Sequence, residues 1–414
     1  MFVVFEDHAG NKVTIDNAAS SDSLATLLNR LNELQPDAFK VLEKDLKPNG
    51  LRIRESTASH HQDSCQSFSS ASLIDSIASI ELHITCSSSL KGPKEAVAVL
   101  FAGQGTDVAK TIKKLSAPMN EGPWAEKSTE FFKVASEALG YDLIEMCNSN
   151  KSHLLKMTEY SQPAIFVASL ANMEKYKLEN STKAQNITHA AGFSLGEYAA
   201  LVHAGAITLK DGISIIKVRA KAMQVAAEKS AGSMVTVIGL DDTKLEQLCA
   251  EAEAAVPRND KDEHKRLVIA NHLFPKGRVL SGDKMLVAWV AQNATGRGAQ
   301  IANELAVAGA FHSPYMNPAL ASLENILENT IIKEPNMPVY SNVTGQKYET
   351  AAEIKQLLIK QLEAPVQWEQ TIKTMLKDDG VVSFVDAGPG QQLKSMMRRI
   401  NAKAFRKTVV LDGK

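Results

Sequence analysis

Cysteine is scarce in this 414-residue sequence, and none of the four cysteines belongs to a C-x-x-C pair. Neither a structural zinc site nor a disulfide framework is therefore indicated, and we expect no metal. No stretch approaches the roughly eighteen consecutive apolar residues of a transmembrane helix, so we expect no membrane span. The 46 basic and 47 acidic residues give a net charge of −1, which argues against a nucleic-acid partner.

Targeting signals are also missing from the N-terminus. The first 30 residues contain four acidic and two basic residues, whereas a mitochondrial presequence is basic and poor in acids. The apolar core of a signal peptide is absent as well. The N-terminal residues therefore carry no visible targeting signal.

Residues 1–55 are predicted to form a small folded segment. Residues 1–5 are apolar, Lys12–Ile15 alternates between polar and β-branched residues, and the turn residues between them predict a hairpin. Five leucines between residues 21 and 34 have helical spacing and predict a helix.

The next segment, residues 56–95, is a serine-rich linker or a continuation of the N-terminal domain. Residues 56–89 contain 12 serines, a composition typical of linkers, yet residues 80–86 alternate like a strand. Hairpin, helix and late strand together resemble a ubiquitin-like β-grasp that continues to residue 90. A partly disordered extension is the alternative.

From residue 96 the pattern becomes that of an α/β protein. Ala96–Phe101 is a continuous apolar run before a Gly-Gln-Gly sequence, as in buried parallel strands. We assign residues 96–230 and 308–414 to one α/β body. Residues 231–307 between them show the order βαββαβ, which predicts a ferredoxin-like insert.

A G-x-S-x-G pentapeptide covers residues 192–196 with Ser194 at its centre. An apolar segment precedes it and an apolar helix follows, which is the context in which this motif exposes a nucleophilic serine. The backbone N–H after the serine can face an oxyanion, and a second N–H could come from the loop 103–105. A dinucleotide-binding fingerprint is not supported in that loop, because its third glycine is missing.

Of the ten histidines, His312 is the best candidate for the base that a serine nucleophile needs. It follows a predicted strand and precedes a Pro-initiated helix, and catalytic groups often project from such loops. His203 lies too far along the helix that follows Ser194, and His272, in a predicted loop of the insert, is weaker. No acid lies at a recognisable strand end, so the acceptor that orients the base is predicted to be a backbone or amide carbonyl.

Arg219 is predicted to lie on a helix together with Lys217 and Lys221. A guanidinium group can bind a carboxylate through two parallel hydrogen bonds. On spacing alone, however, a solvated basic helix face is the favoured interpretation.

Eight collinear segments within residues 96–412 resemble the malonyl-CoA:acyl carrier protein transacylases, the acyltransferases of fatty-acid and polyketide synthesis. The segments are LFAGQG (100–105), YSQPAIF (160–166), GFSLGEYAALVHAGA (192–206), VRAKAMQ (218–224), GAFHSPYM (309–316), VYSNVTG (339–345), KQLEAPVQW (360–368) and DAGPGQQL (386–393). Residues 271–282 and Phe193 are similar to the mitochondrial type of animals. Phe193 replaces the histidine that is usual in the family, and Ala102 replaces the usual proline.

By motif position, the resemblance implies that Ser194 is the acyl nucleophile and His312 its base. Gln104 and Leu195 match the residues whose backbone N–H groups form the oxyanion hole. Gln361 matches the residue whose main-chain carbonyl orients the histidine.

The resemblance also implies how the substrate is recognised. Arg219 matches the arginine that binds the free carboxylate of malonate, which replaces the solvated-face interpretation. Phe311 and Asn271 are expected to line the substrate pocket. In related polyketide enzymes Phe before the histidine accompanies malonyl, and we expect it to exclude an α-methyl group.

The expected fold is a hydrolase-like parallel-sheet body with a ferredoxin-like insert, and the expected site lies between them. The implied reaction moves malonyl from malonyl-CoA to the phosphopantetheine thiol of acyl carrier protein through a malonyl-serine, in a monomer without a cofactor. A serine thioesterase or hydrolase acting on acyl-CoA is the alternative, and an adaptor joined to an inactive acyltransferase body is a third. The resemblance implies a mitochondrial location, whereas the N-terminus leaves the cytoplasm open.

Overall fold

The chain divides into two compact units, residues 1–94 and residues 95–414. A computed structural model describes four short strands of the first unit and most of the second. The described residues are 3–6, 12–15, 52–55, 80–83, 96–117, 122–257 and 266–412.

The first unit contains a four-stranded sheet. Its strands are β1 (Val3–Glu6), β2 (Lys12–Ile15), β3 (Arg52–Glu55) and β4 (Ile80–His83), in the order β2-β1-β4-β3. β1 pairs antiparallel with β2, as the predicted hairpin requires, and parallel with β4, which pairs antiparallel with β3. The predicted helix at residues 21–34 and the turn before β2 lie outside the described residues.

The second unit alternates strands and helices. Its strands are β5 (Ala96–Phe101), β6 (Ile187–Gly192), β7 (Gly232–Ile238), β8 (Val268–Phe274), β9 (Gly277–Asp283), β10 (Ile301–Glu304), β11 (Val381–Asp386) and β12 (Thr408–Val410). Its helices are α1 (Val108–Leu115), α2 (Pro123–Leu139), α3 (Leu143–Asn148), α4 (Thr158–Glu179), α5 (Ser181–Ala184), α6 (Leu195–His203), α7 (Leu209–Glu228), α8 (Asp242–Ala255), α9 (Lys284–Asn293), α10 (Asn317–Glu328), α11 (Ala351–Lys360), α12 (Trp368–Lys377), α13 (Gln392–Ile400) and α14 (Ala402–Arg406). None of the helices in the described part of the chain is long and apolar enough to span a membrane.

The body is built on a parallel sheet in the order β12-β11-β5-β6. The central strand β5 is buried from Ala98 to Phe101, because helices cover the sheet and leave neither face to water. The α/β class predicted from the apolar run is therefore confirmed. The carboxyl ends of β5 and β6 lie side by side, with Phe101 paired to Gly192, so the loops that follow these two strands meet at one edge of the sheet.

Residues 232–304 form a second sheet in the order β10-β7-β9-β8, in which every neighbouring pair is antiparallel. The element order is βαββαβ, the pattern predicted from the sequence. Two details differ from the prediction. The last strand, Ile301–Glu304, ends before residue 307, the predicted end of the insert, because the chain then leaves the sheet toward His312. His272 lies within β8 and not in a loop, since the hairpin turns only at Pro275 and Lys276.

Backbone and ionic contacts attach this insert to the body. His272 N donates to the carbonyl oxygen of Val366 at 2.9 Å, and Val366 N donates to that of Ala270 at 2.8 Å. The guanidinium group of Arg278 on β9 lies 2.9 Å from a carboxylate oxygen of Glu369 on α12. These contacts therefore fix the position of the insert relative to the body, and with it the two walls of the cleft between them.

Candidate active site

Ser194 lies at the sharp turn between β6 and α6. Its backbone φ is 51°, a left-handed conformation that few residues with a side chain adopt. A Cβ on Gly192 would lie 1.8 Å from the carbonyl carbon of Gly196, and a Cβ on Gly196 would lie 2.0 Å from the carbonyl oxygen of Phe101. Both glycines of the motif are therefore required by close backbone approach, and the turn places the serine hydroxyl beyond the sheet edge.

Asn342 braces this turn from another segment of the chain. Its Oδ1 accepts a hydrogen bond from Ser194 N at 2.5 Å, and its Nδ2 donates to the carbonyl oxygen of Gly192 at 2.7 Å. Sequence reasoning did not single out this residue. The sequence feature that could have indicated it is its position within segment 339–345, one of the eight that resemble the family.

His312 contacts the serine hydroxyl and a backbone carbonyl at the same time. Its Nε2 lies 2.8 Å from Ser194 Oγ, and its Nδ1 lies 2.8 Å from the main-chain oxygen of Gln361. A carbonyl oxygen can only accept, so Nδ1 carries the proton and Nε2 presents its lone pair to the hydroxyl. Of the two acceptors left open by the sequence, the one found here is the backbone carbonyl.

The surroundings of His312 keep its imidazole neutral. Burial and the nearby positive charge of Arg219 together lower the pKa of His312 to about 4, although the hydrogen bond to the Gln361 backbone opposes both effects. Near neutral pH the ring can therefore accept a proton from Ser194.

Arg219 is fully buried beside the serine, so the interpretation as a solvated helix face is wrong. Its Nη1 donates to Gln162 Oε1 at 2.6 Å, and its Nη2 donates to Ser194 Oγ at 3.1 Å and to Gln361 Oε1 at 2.9 Å. Its Cζ lies 5.3 Å from the centre of the Tyr198 ring. Among the described residues, Nε has no hydrogen-bond partner, and the groups that accept from Nη1 and Nη2 are all neutral. A buried guanidinium group with only neutral partners is suited to an anionic ligand.

A cleft of about 360 Å³ opens above the serine between body and insert. With the exception of Gln361, which lies buried behind it, every residue predicted for the site lines this cleft. Gln104 and Leu195 lie on the body side, and Asn271 on β8 lies on the insert side. Within the described part of the chain, the buried Nδ2 of Asn271 has no partner and is available to a ligand.

The comparisons with known proteins agree with this geometry. The model of the acyl transferase domain matches residues 100–410. The chain is 36% identical over 316 residues to a protein named probable malonyl-CoA-acyl carrier protein transacylase, mitochondrial, from Drosophila melanogaster, covering 75% of this chain and 81% of that protein. This chain belongs to the malonyl-CoA-acyl carrier protein transacylases.

Two further relatives place the chain within this transacylase family. The mitochondrial malonyl-CoA-acyl carrier protein transacylase of Homo sapiens is 35% identical over 323 residues, which cover 77% of this chain and 81% of that protein. A malonyl-transacylase solved in complex with a holo type II polyketide acyl carrier protein has a TM-score of 0.66 and 29% identity, covering 76% of this chain and 94% of that chain. The resemblance drawn from the eight segments is confirmed.

The arrangement suits covalent acyl transfer by side chains of the transacylase itself. It combines a nucleophile, a neutral base, a helix N-terminus behind the serine and a buried cation. Within residues 96–117, 122–257 and 266–412, no three His, Cys, Asp or Glu side chains cluster as metal ligands.

Sequence reasoning also missed a buried acid in this site, Glu197. Its carboxylate accepts hydrogen bonds from the Tyr348 hydroxyl, from Gln361 Nε2 at 2.5 Å and from Asn342 N at 3.2 Å. Burial raises the pKa of Glu197 to about 7, although the three donors and Arg219 pull it down. The signal in the sequence was weak, because a single acid on an apolar helix commonly faces solvent.

Proposed function

We propose that this protein transfers malonyl from malonyl-CoA to the phosphopantetheine thiol of acyl carrier protein. One observation carries the proposal. Ser194 Oγ lies 2.8 Å from the Nε2 of His312 and 3.1 Å from the Nη2 of Arg219. A nucleophile, its base and a cation for the carboxylate of malonate therefore meet at a single atom.

In the first half-reaction, His312 Nε2 takes the hydroxyl proton while Ser194 Oγ attacks the thioester carbon. The negative charge that develops on the carbonyl oxygen faces the backbone N–H groups of Gln104 and Leu195. The carbon–sulfur bond then breaks, and the CoA sulfur leaves with the proton held by His312. A malonyl-serine ester and free CoA are the products.

In the second half-reaction, the phosphopantetheine thiol gives its proton to His312 and attacks the ester carbon. The carbon–oxygen bond to Ser194 breaks, and the serine oxygen regains the proton. Arg219 binds the malonyl carboxylate in both half-reactions. Because a buried charge without a partner is costly, the site favours dicarboxylic acyl groups over acetyl.

The test is the intact mass of the protein after brief mixing with malonyl-CoA, beside acetyl-CoA and the variant Ser194→Ala. We expect one malonyl adduct that depends on Ser194 and is discharged by holo acyl carrier protein. If CoA is released while neither a malonyl adduct of the protein nor malonylated acyl carrier protein forms, the protein is a thioesterase. Absence of both adduct and CoA release would refute an enzymatic role on this substrate.

The proposal extends to the location of the protein, its assembly and the fold of its N-terminal unit. A mitochondrial location is supported by the mitochondrial names of the Drosophila and human relatives. We propose a ubiquitin-like β-grasp for the first unit, supported by the order β2-β1-β4-β3 with a parallel central pair, and a monomeric enzyme that needs no cofactor. Cell fractionation of the full chain tests the location, and light scattering tests the assembly. Activity measured after metal chelation tests whether a metal is needed, and an experimental structure of the full chain tests the β-grasp.

Phe311 is expected to set the preference for malonyl over methylmalonyl. It is buried in the cleft wall and adjoins His312 in the chain, so its ring crowds the carbon next to the thioester. In Phe311→Val, we expect acylation by methylmalonyl-CoA to rise about tenfold relative to malonyl-CoA, since one methyl group in an apolar pocket is worth about 10- to 200-fold. Competition between the two thioesters in a single turnover measures this ratio. Leu273→Val, which shortens another apolar residue of the same cleft, is the control and should leave the ratio unchanged. An unchanged ratio in Phe311→Val would contradict this role of Phe311.

A further inference from the structure

The acid Glu197 has no place in the two half-reactions, yet it is bonded to three different segments behind the nucleophile. It lies in the first turn of α6 and is fully buried. Its Oε1 accepts from the Tyr348 hydroxyl, and its Oε2 accepts from Gln361 Nε2 and Asn342 N. A carboxylate with this many donors fixes the orientation of the groups that donate to it.

The most consequential of these groups is Gln361. Its side-chain Nε2 also donates to the main-chain oxygen of Ser194 at 3.0 Å, and its Oε1 accepts from Arg219 Nη2 at 2.9 Å. Its own main-chain oxygen accepts from His312 Nδ1 at 2.8 Å. One residue therefore contacts the nucleophile, the base and the carboxylate-binding cation.

An amide side chain has two ends of nearly equal shape, and only its partners decide which end points where. Near Gln361, Oε2 of Glu197 and the main-chain oxygen of Ser194 are acceptors, so they select the NH₂ end. The Oε1 end is then left for Arg219. The acid thus sets the orientation in which the amide supports the guanidinium group.

We propose that Glu197 is a positioning residue that fixes Gln361 and thereby holds His312 and Arg219 in reacting geometry together. The inference rests on acyl transfer at Ser194. Its importance is greatest when malonyl binds, because Arg219 must then exchange its hydrogen bond to Ser194 Oγ for hydrogen bonds to the substrate carboxylate. Throughout this exchange, the amides of Gln361 and Gln162 hold the guanidinium group in place.

The test compares Glu197→Ala, Glu197→Gln and Tyr348→Phe by the single-turnover rate constant of acylation with malonyl-CoA and with acetyl-CoA. For Glu197→Ala we expect a loss of about 100-fold with malonyl-CoA, the size of effect that a 1 Å misplacement can cause. The loss with acetyl-CoA should be smaller, because that substrate does not use Arg219. Glu197→Gln keeps an acceptor for Gln361 Nε2 and should recover most of the rate. Tyr348→Phe removes a bond only at Oε1 and should stay closest to wild type.

A purely structural role would give a different pattern. The variant would then have a lower folded fraction, which is seen as a smaller burst of CoA. The acylation rate constant of the folded protein, and the ratio of the rate constants for malonyl-CoA and acetyl-CoA, would stay at wild-type values. This result would overturn the inference. If Glu197→Ala does not fold, Glu197→Asp withdraws the carboxylate by one methylene and permits the same comparison. Failure of the wild type to form the adduct counts against the proposed function, whereas normal wild-type acylation with unchanged variant rate constants counts against the positioning role alone.

Discussion

Replacement of His312 by alanine is expected to lower the rate constant of Ser194 acylation by about 10²- to 10⁴-fold, the range typical of a positioned general base. The Nε2 of this residue lies 2.8 Å from the serine oxygen, and no water or second side chain is needed to relay the proton. Rapid-mixing measurement of CoA release from malonyl-CoA gives the rate constant. His272→Ala is the matched control, because His272 lies on β8 between two cleft-lining residues but does not itself line the cleft. Equal losses in the two variants would contradict the assignment of the base.

The pH dependence of acylation follows from the environment of His312. Burial and Arg219 lower its pKa to about 4, so the base is neutral above that pH. With acetyl-CoA we expect the acid limb of single-turnover acylation near pH 4. A bound malonyl carboxylate offsets the charge of Arg219, so the limb at saturating malonyl-CoA should lie at higher pH. Coincident limbs for the two substrates would contradict this electrostatic coupling.

The pH dependence of acylation can be measured only where the protein stays folded, and the titration of His312 itself affects folding stability. As pH falls, the His312 side chain of the unfolded chain gains a proton around its ordinary pKa of about 6.5, whereas the folded protein takes it up only near pH 4. The unfolded state therefore binds more protons at this residue between these values, and the contribution of His312 to the free energy of unfolding decreases as the pH falls through this window. Circular dichroism at each pH separates titration of the base from loss of the fold.

The parts of the fold that the sequence predicted are those determined by local patterns. The continuous apolar character of Ala96–Phe101 indicated a buried element, and its short length before a Gly-Gln-Gly sequence favoured a strand over a helix. The glycines on either side of Ser194 marked a crowded turn, and close backbone contacts at both positions are their physical cause. The order of the insert followed from alternating short apolar segments.

The burial of Arg219 could have been recognised from helical periodicity. Lys217 and Lys221 are four residues apart and share one face of α7, whereas Arg219 lies two residues from each and points to the opposite face. Ile216 and Met223, three and four residues away from it, are buried. The solvated-face interpretation failed because it treated three basic residues as one patch without placing them on the helix.

Other parts of the site had no local signature. The acceptor for His312 Nδ1 is a main-chain oxygen, and every residue has one, so only the resemblance indicated Gln361. Glu197 is buried because Tyr348 and Asn342, about 150 positions further along the chain, supply its hydrogen bonds. Tertiary contacts of this range cannot be predicted from the spacing of residues on one helix.

Replacement of Arg219 by alanine is expected to reduce the preference for malonyl-CoA over acetyl-CoA by about 10²-fold or more. The variant leaves the malonyl carboxylate in a buried site without its cation, and truncation of one partner of a buried charge pair costs about 3–5 kcal/mol, where each 1.4 kcal/mol is about tenfold. Acetyl transfer should fall much less, because that group presents no charge to the site. The ratio of single-turnover acylation rates for the two thioesters is the measurement.

Two further variants distinguish recognition of the carboxylate from general damage to the site. Arg219→Lys keeps the positive charge but loses the planar fork that holds Gln162, Gln361 and Ser194 together, so it should recover only part of the preference. Lys217→Ala removes an exposed charge from the opposite face of the same helix and should leave the preference at the wild-type value. If Arg219→Ala slows both thioesters equally, the guanidinium group acts on Ser194 and not on the substrate carboxylate. A fall confined to malonyl would instead establish that the buried cation determines which acyl group reaches the carrier protein.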